Sequence, residues 1–194
     1  MEKTAVQKLA GVLRVLVTLA FVCNLLALPL VPGLVGIGRA GFQELLELTP
    51  YEGAWETPSR AVIVFFLACW QYLFRVWREP DHAVLAGFLL FCGANTAVIL
   101  WQARRVLGTI IATAPFQRAN ARSMDRAAVS FALIALAALC RTAWGFFYYR
   151  SLSPLFTYNA LFVPVFAMGA LLCMVMSALF RQAAELKEDS DLTI

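Results

Sequence analysis

Charge is what this chain has least of. Only 14 % of its 194 residues are Asp, Glu, Lys or Arg, where soluble domains carry about 25 %. Three intervals, residues 15–38, 83–103 and 151–180, contain no charged side chain at all. Each is of bilayer length, because about 20 apolar residues cross a hydrocarbon core of ~30 Å. Chemistry-bearing groups are scarce too. His82 is the single histidine, and no H-E-x-x-H, G-x-S-x-G or phosphate-binding glycine loop occurs. The carboxylates avoid the apolar spans, so a pump-type proton relay has no acids to work with. Five cysteines, Cys23, Cys69, Cys92, Cys140 and Cys173, fall one per apolar segment without a C-x-x-C pair. Metal-site spacing is missing, and no cofactor is expected. Together these absences exclude a disordered chain, a disulfide-stapled secreted scaffold and a soluble enzyme built round one core. The chain is expected not to be an enzyme.

What is present is apolar sequence, 61 % of the chain. Lys3, Lys8 and Arg14 precede the first apolar run in the manner of a secretory signal, but the run is longer than a signal's ~7–15 residues and ends in Leu-Pro-Leu-Val-Pro-Gly. It reads as an uncleaved first span. The expected fold is an all-α integral membrane protein, an antiparallel four-helix transmembrane bundle in a single membrane domain. Its spans fall at about 9–30, 83–103, 127–148 and 159–180. Pro29 and Pro32 are expected to end the first.

The stretch 61–74 holds only 14 uncharged residues before Arg75 and Arg78. The positive-inside rule decides its role. The loop 104–126 carries Arg104, Arg105, Arg118, Arg122 and Arg126 against the one acid Asp125, which makes it cytoplasmic. With four spans, this loop, the N-terminus and the tail 181–194 all lie inside, whereas a fifth crossing breaks that agreement. The segment at about 61–77 is therefore expected to be an interfacial or re-entrant helix within an outer loop 38–82. That loop also holds Glu44, Glu47, Glu52 and Glu56.

Polar residues inside spans are few. Arg141 is the one charge well within a span; it marks either a site for an anionic ligand or headgroup, or a side chain that snorkels toward Tyr148, Tyr149 and Arg150. Asn24 and Asn95 lie near mid-span and suit interhelical hydrogen bonds. Small residues recur every fourth position at Gly169, Cys173 and Ser177, at Ala128 and Ala132, and at Gly93 and Ala97. Such faces let helices approach closely, within one chain or in a homo-oligomer. The second span is expected to run on as a helix until Pro115, with Asn120 or Ser123 capping the next.

Pro115 and Phe116 followed by Asn120 form a P-F-x-x-x-N element, and the chain closes on Lys-Glu-Asp-Ser-Asp-Leu-Thr-Ile at 187–194. These two features resemble the bacterial domain-of-unknown-function family 2975 (DUF2975), small four-span membrane proteins. The resemblance is best from about residue 83 onward and most specific in the tail. It implies a partnership with a cytosolic helix-turn-helix regulator of the Cro/repressor type, since such proteins are commonly encoded together.

The tail gives this a physical form. Glu185, Glu188, Asp189 and Asp191 outnumber Arg181 and Lys187, and Leu192, Thr193 and Ile194 follow. Carboxylates would steer encounter with a basic surface while Leu192 and Ile194 anchor it. Alternatively the tail folds back on the chain's own basic loop. The expected role is a non-enzymatic regulatory or interaction component of the bacterial inner membrane, with both termini cytoplasmic. The alternatives are a small transport or export component using Arg141, Asn24 and Asn95, and an accessory subunit of a larger membrane complex. The lipid bilayer is the expected surroundings, and no direct nucleic acid binding is expected.

Overall fold

A computed structural model describes residues 5–40, 58–112, 116–150 and 158–192. Among these the chain is helical, without strand: α1 (Ala5–Ala27), α2 (Val31–Ala40), α3 (Pro58–Arg75), α4 (Pro80–Ile111), α5 (Arg118–Tyr149) and α6 (Tyr158–Leu192). Large apolar side chains lie bare along them; Leu9, Trp70, Phe147 and Leu172 are each more than 60 % exposed. A water-soluble monomer seldom exposes so much contiguous apolar surface. Lipid contact removes the difficulty.

Five helical stretches are long and apolar enough to cross a bilayer: Ala5–Gly38, Pro58–Arg78, Pro80–Ile111, Arg118–Tyr149 and Ala160–Ser190. Pro58–Arg78 exceeds the uncharged run seen in sequence because its helix continues through Arg60 and Arg75, whose long side chains tolerate a helix end. The first α-helix ends at Ala27, just before the two prolines, but the chain does not leave helical geometry there. Pro29 sits in a 3₁₀ turn, Leu28–Leu30, where the Val31 N–H still donates to the Leu28 carbonyl. Pro32 falls in the first turn of α2, where its missing N–H costs no helical bond. The chain tightens for one turn and resumes.

Contacts divide the chain into two compact units, Leu26–Leu90 and Met1–Leu25 with Phe91–Ile194. In the first, α2 and α3 pack parallel. A Cβ built on Gly33 would lie 2.6 Å from the Cys69 carbonyl oxygen, and one on Gly36 would lie 2.7 Å from the Tyr72 Cβ. Only glycine permits so close an approach of backbone to backbone. Both contacts have the same sequence offset, so the two helices ascend together. Val35, Val76 and Ala86 make the small core of this unit. Glu79 is extended, as a residue before proline must be, and Pro80 with Asp81 opens α4.

In the second unit α5 and α6 form a tight antiparallel pair. Arg118 meets Glu188, Ala121 meets Ser177 and Phe131 meets Phe166, so one number falls as the other rises. The buried face of α5 includes Asn120, Ser123, Ala127, Ser130, Ile134, Ala138, Arg141 and Gly145, in steps of three and four. On α6 the buried positions are Ala170, Ser177 and Ala184. This seven-residue rhythm of small side chains is that of a left-handed coiled pair. The step-of-four faces read from sequence meet it only in part: Gly169 abuts Phe131 and Ser177 is buried, but Ala132 is exposed. α5 closes where Arg150 turns left-handed at φ 47°, its N–H donating to the Phe146 carbonyl.

α1 and α4 also run antiparallel within this unit. The Asn24 amide Nδ2 donates to the Gly93 carbonyl at 2.9 Å, and the Phe21 and Trp101 rings are 5.8 Å apart.

Candidate functional site

One group of polar side chains in the second unit gathers near the ends of the charge-free intervals. α5 begins at Arg118 with Gln117 as its extended N-cap, so neither Asn120 nor Ser123 caps the helix as expected. Asn120 lies in the first turn instead and is 1 % exposed. Its Nδ2 donates to the Thr109 hydroxyl at 2.7 Å, and that hydroxyl donates on to the Val106 carbonyl. Ser123, also buried, donates to the Ala119 carbonyl of its own helix. Ser177 reaches across from α6 to the Ala121 carbonyl at 3.0 Å. Asn120 thus ties the end of α4 to the start of α5, and Ser177 adds α6.

Two ion pairs flank this knot. Arg118 holds Glu188 at 2.7 Å and Arg181 holds Asp125 at 3.4 Å. All four side chains are about half exposed, and such pairs contribute roughly 0–1 kcal/mol. They set register weakly and open cheaply. α6 runs without interruption to Leu192, so the acidic segment is the end of a helix and not a separate peptide. Glu185, Lys187, Glu188 and Asp189 are exposed on it. Asp191 and Leu192 close the helix, while Pro115, Thr193 and Ile194 lie outside the described residues, as does the acidic stretch 41–57. Phe116 is half exposed.

The intramembrane candidates are not brought together by any hydrogen bond seen here. Asn24 is spent on the Gly93 carbonyl, and Asn95 donates to the Phe91 carbonyl of its own helix. Arg141 is 9 % exposed and belongs to the inward stripe of α5, between Ala138 and Gly145. It does not share the open surface that bears Tyr148 and Tyr149.

Sequence reasoning missed an open groove of about 420 Å³ lined by Arg14, Trp101, Arg104, Arg105 and Gly108. The Arg104 guanidinium carbon stands 5.8 Å from the centre of the Trp101 ring, within cation–π range. The available signal was positional. Arg14 and Arg104 each border a charge-free interval, and antiparallel helices bring such borders level.

Helices of this length, bare of polar cover, fit an integral membrane protein. The chain belongs to the DUF2975 family, described as protein of unknown function, whose model matches residues 13–194. The match takes in the first apolar run and the stretch 61–74 as well as the segment that carries P-F-x-x-x-N and the tail. No curated protein and no solved structure matches the chain.

Proposed function

We propose that this protein is a non-enzymatic component of the bacterial inner membrane that docks a basic cytosolic regulator of the helix-turn-helix type on its acidic helical end. The observation that carries this reading is the continuation of α6 to Leu192, past the charge-free interval. Residues 181–192 project by about 18 Å at 1.5 Å per residue. They present Glu185 and Glu188 to solvent, with Leu186 70 % exposed beside them. An exposed apolar residue among carboxylates suits a basic partner, because charge steers the encounter and Leu186 gains from burial. The Arg118–Glu188 pair does not oppose docking, since it is cheap to open.

The topology behind this reading has four crossings, α1, α4, α5 and α6, in an antiparallel bundle with both termini and the loop 104–126 in the cytoplasm. Two antiparallel pairs and the Thr109–Asn120 link support the alternation. The parallel run of α2 and α3 supports a re-entrant segment, because successive full crossings run in opposite directions.

The test compares inner-membrane vesicles bearing the full chain with vesicles whose chain stops after Ala184. A tagged Cro/repressor-type regulator from the same cells is added and its bound fraction measured. Recruitment by the full chain and its loss on truncation are expected; equal recruitment by both sinks the docking role.

A further inference from the structure

The groove between α1 and α4 has no part in regulator docking. Its cations come from two helices, Arg14 from α1 and Arg104 and Arg105 from α4. Among the described residues none of the three is ion-paired to a carboxylate, whereas Arg118 and Arg181 of the same unit both are. Three guanidiniums round one opening repel one another, and an anion between them reverses the sign.

Local geometry fits a phosphate. Gly108 supplies no side chain, and the Arg14 guanidinium carbon lies 3.9 Å from the point its Cβ would occupy, with Nη2 at 4.0 Å. Arg14 therefore rests over bare backbone. Arg104 rests over Trp101, which in turn meets Phe21. Guanidiniums at these places offer paired N–H donors that match phosphate oxygens.

Depth narrows the ligand further. The charge-free interval of α1 begins immediately after Arg14, and that of α4 ends immediately before Arg104. Because the helices are antiparallel, both borders fall at the groove. That is the level where hydrocarbon gives way to headgroups, and tryptophan favours it.

We propose that the groove binds the phosphodiester of an anionic phospholipid. Arg14, Arg104 and Arg105 hold the phosphate, and the acyl chains lie on exposed apolar residues such as Val15 and Val98. This site is independent of the acidic end of α6, so either assignment can fail without the other.

The experiment places a chain with Trp101 as its sole tryptophan (W55F, W70F, W77F, W144F) in phosphatidylcholine vesicles containing one-fifth phosphatidylglycerol. One or the other lipid is brominated on its acyl chains. Brominated phosphatidylglycerol is expected to quench Trp101 several-fold beyond its share of the bilayer, and R14Q/R104Q/R105Q to abolish that excess. Quenching in proportion to bulk composition overturns the proposal. G108L fills the floor beneath Arg14 without altering charge, so it decides the matter if the triple variant fails to insert. Loss of the excess in G108L supports the site, and its retention overturns it. A last arm adds millimolar inorganic phosphate at constant ionic strength. Unchanged quenching supports the lipid, while loss of the excess assigns the groove to free phosphate and overturns it.

Discussion

The Asn120–Thr109 bond lends itself to a double-mutant cycle because its two ends are satisfied unequally. Asn120 is 1 % exposed and gives Nδ2 to the Thr109 hydroxyl at 2.7 Å, while that hydroxyl has the Val106 carbonyl as its own acceptor. Thr109→Val keeps the volume but strands a buried amide N–H, which costs about 1–3 kcal/mol. Asn120→Leu removes the donor and leaves Thr109 still bonded to Val106, so the share of its cost that belongs to this bond is nearer the net worth of one bond, about 0.5–1.5 kcal/mol. With both replaced, neither end of this bond is left without the other. The double variant is then expected to cost less than the sum of the two single variants, a coupling of about 1 kcal/mol. Thr109 lies past the end of the charge-free interval 83–103, so this value applies in preference to the ~0.6 kcal/mol average for bonds in hydrocarbon. Reversible unfolding in mixed micelles, followed as a function of the mole fraction of dodecyl sulfate, yields the four stabilities. Additivity within about 0.3 kcal/mol would refute the bond as the link between α4 and α5.

Two further outcomes are expected. Gly33→Ala places a methyl group against the Cys69 backbone, which cannot yield, so α2 and α3 separate at a cost of about 1–3 kcal/mol. Cys69, now 4 % exposed, should react with a maleimide many times faster, and an unchanged labelling rate would argue against the parallel contact. Reporter domains fused after Arg122 and after Ile194 should both report cytoplasm; an external signal at Arg122 would remove the four-crossing topology.

Length and hydropathy alone make the helices legible, because a hydrocarbon core admits few alternatives to an uninterrupted helix. Other features depend on neighbours that the sequence does not locate. Pro29 and Pro32 look like a stop, but a single 3₁₀ turn places both where no N–H is needed, and α2 follows. Arg141 reads from sequence as a snorkelling side chain or an anion site, since its burial depends on which face of α5 meets α6. The repeat Gly169, Cys173, Ser177 identifies roughly the right side of α6, but a straight-helix step of four drifts from the seven-residue seam of a coiled pair. Asn120 reads from sequence as a motif residue and, like Ser123, as a candidate cap. Its partner Thr109 lies 11 residues earlier, on α4, and only the fold brings the two together. The groove assembles Arg14 with Arg104 from distant parts of the chain, which no local pattern announces.

The seam of α5 and α6 has a mechanical consequence. Ala170, Ser177 and Ala184 keep one register from the apolar interval into the acidic end, and α6 carries neither proline nor glycine between Ala170 and Leu192. Ser177 on Ala121 and Gly169 against Phe131 pin that register from side to side. The pair therefore behaves as a stiff shaft, in which a twist imposed on its apolar part reappears at Glu188 as rotation of the acidic end proposed for docking, with little taken up by bending on the way.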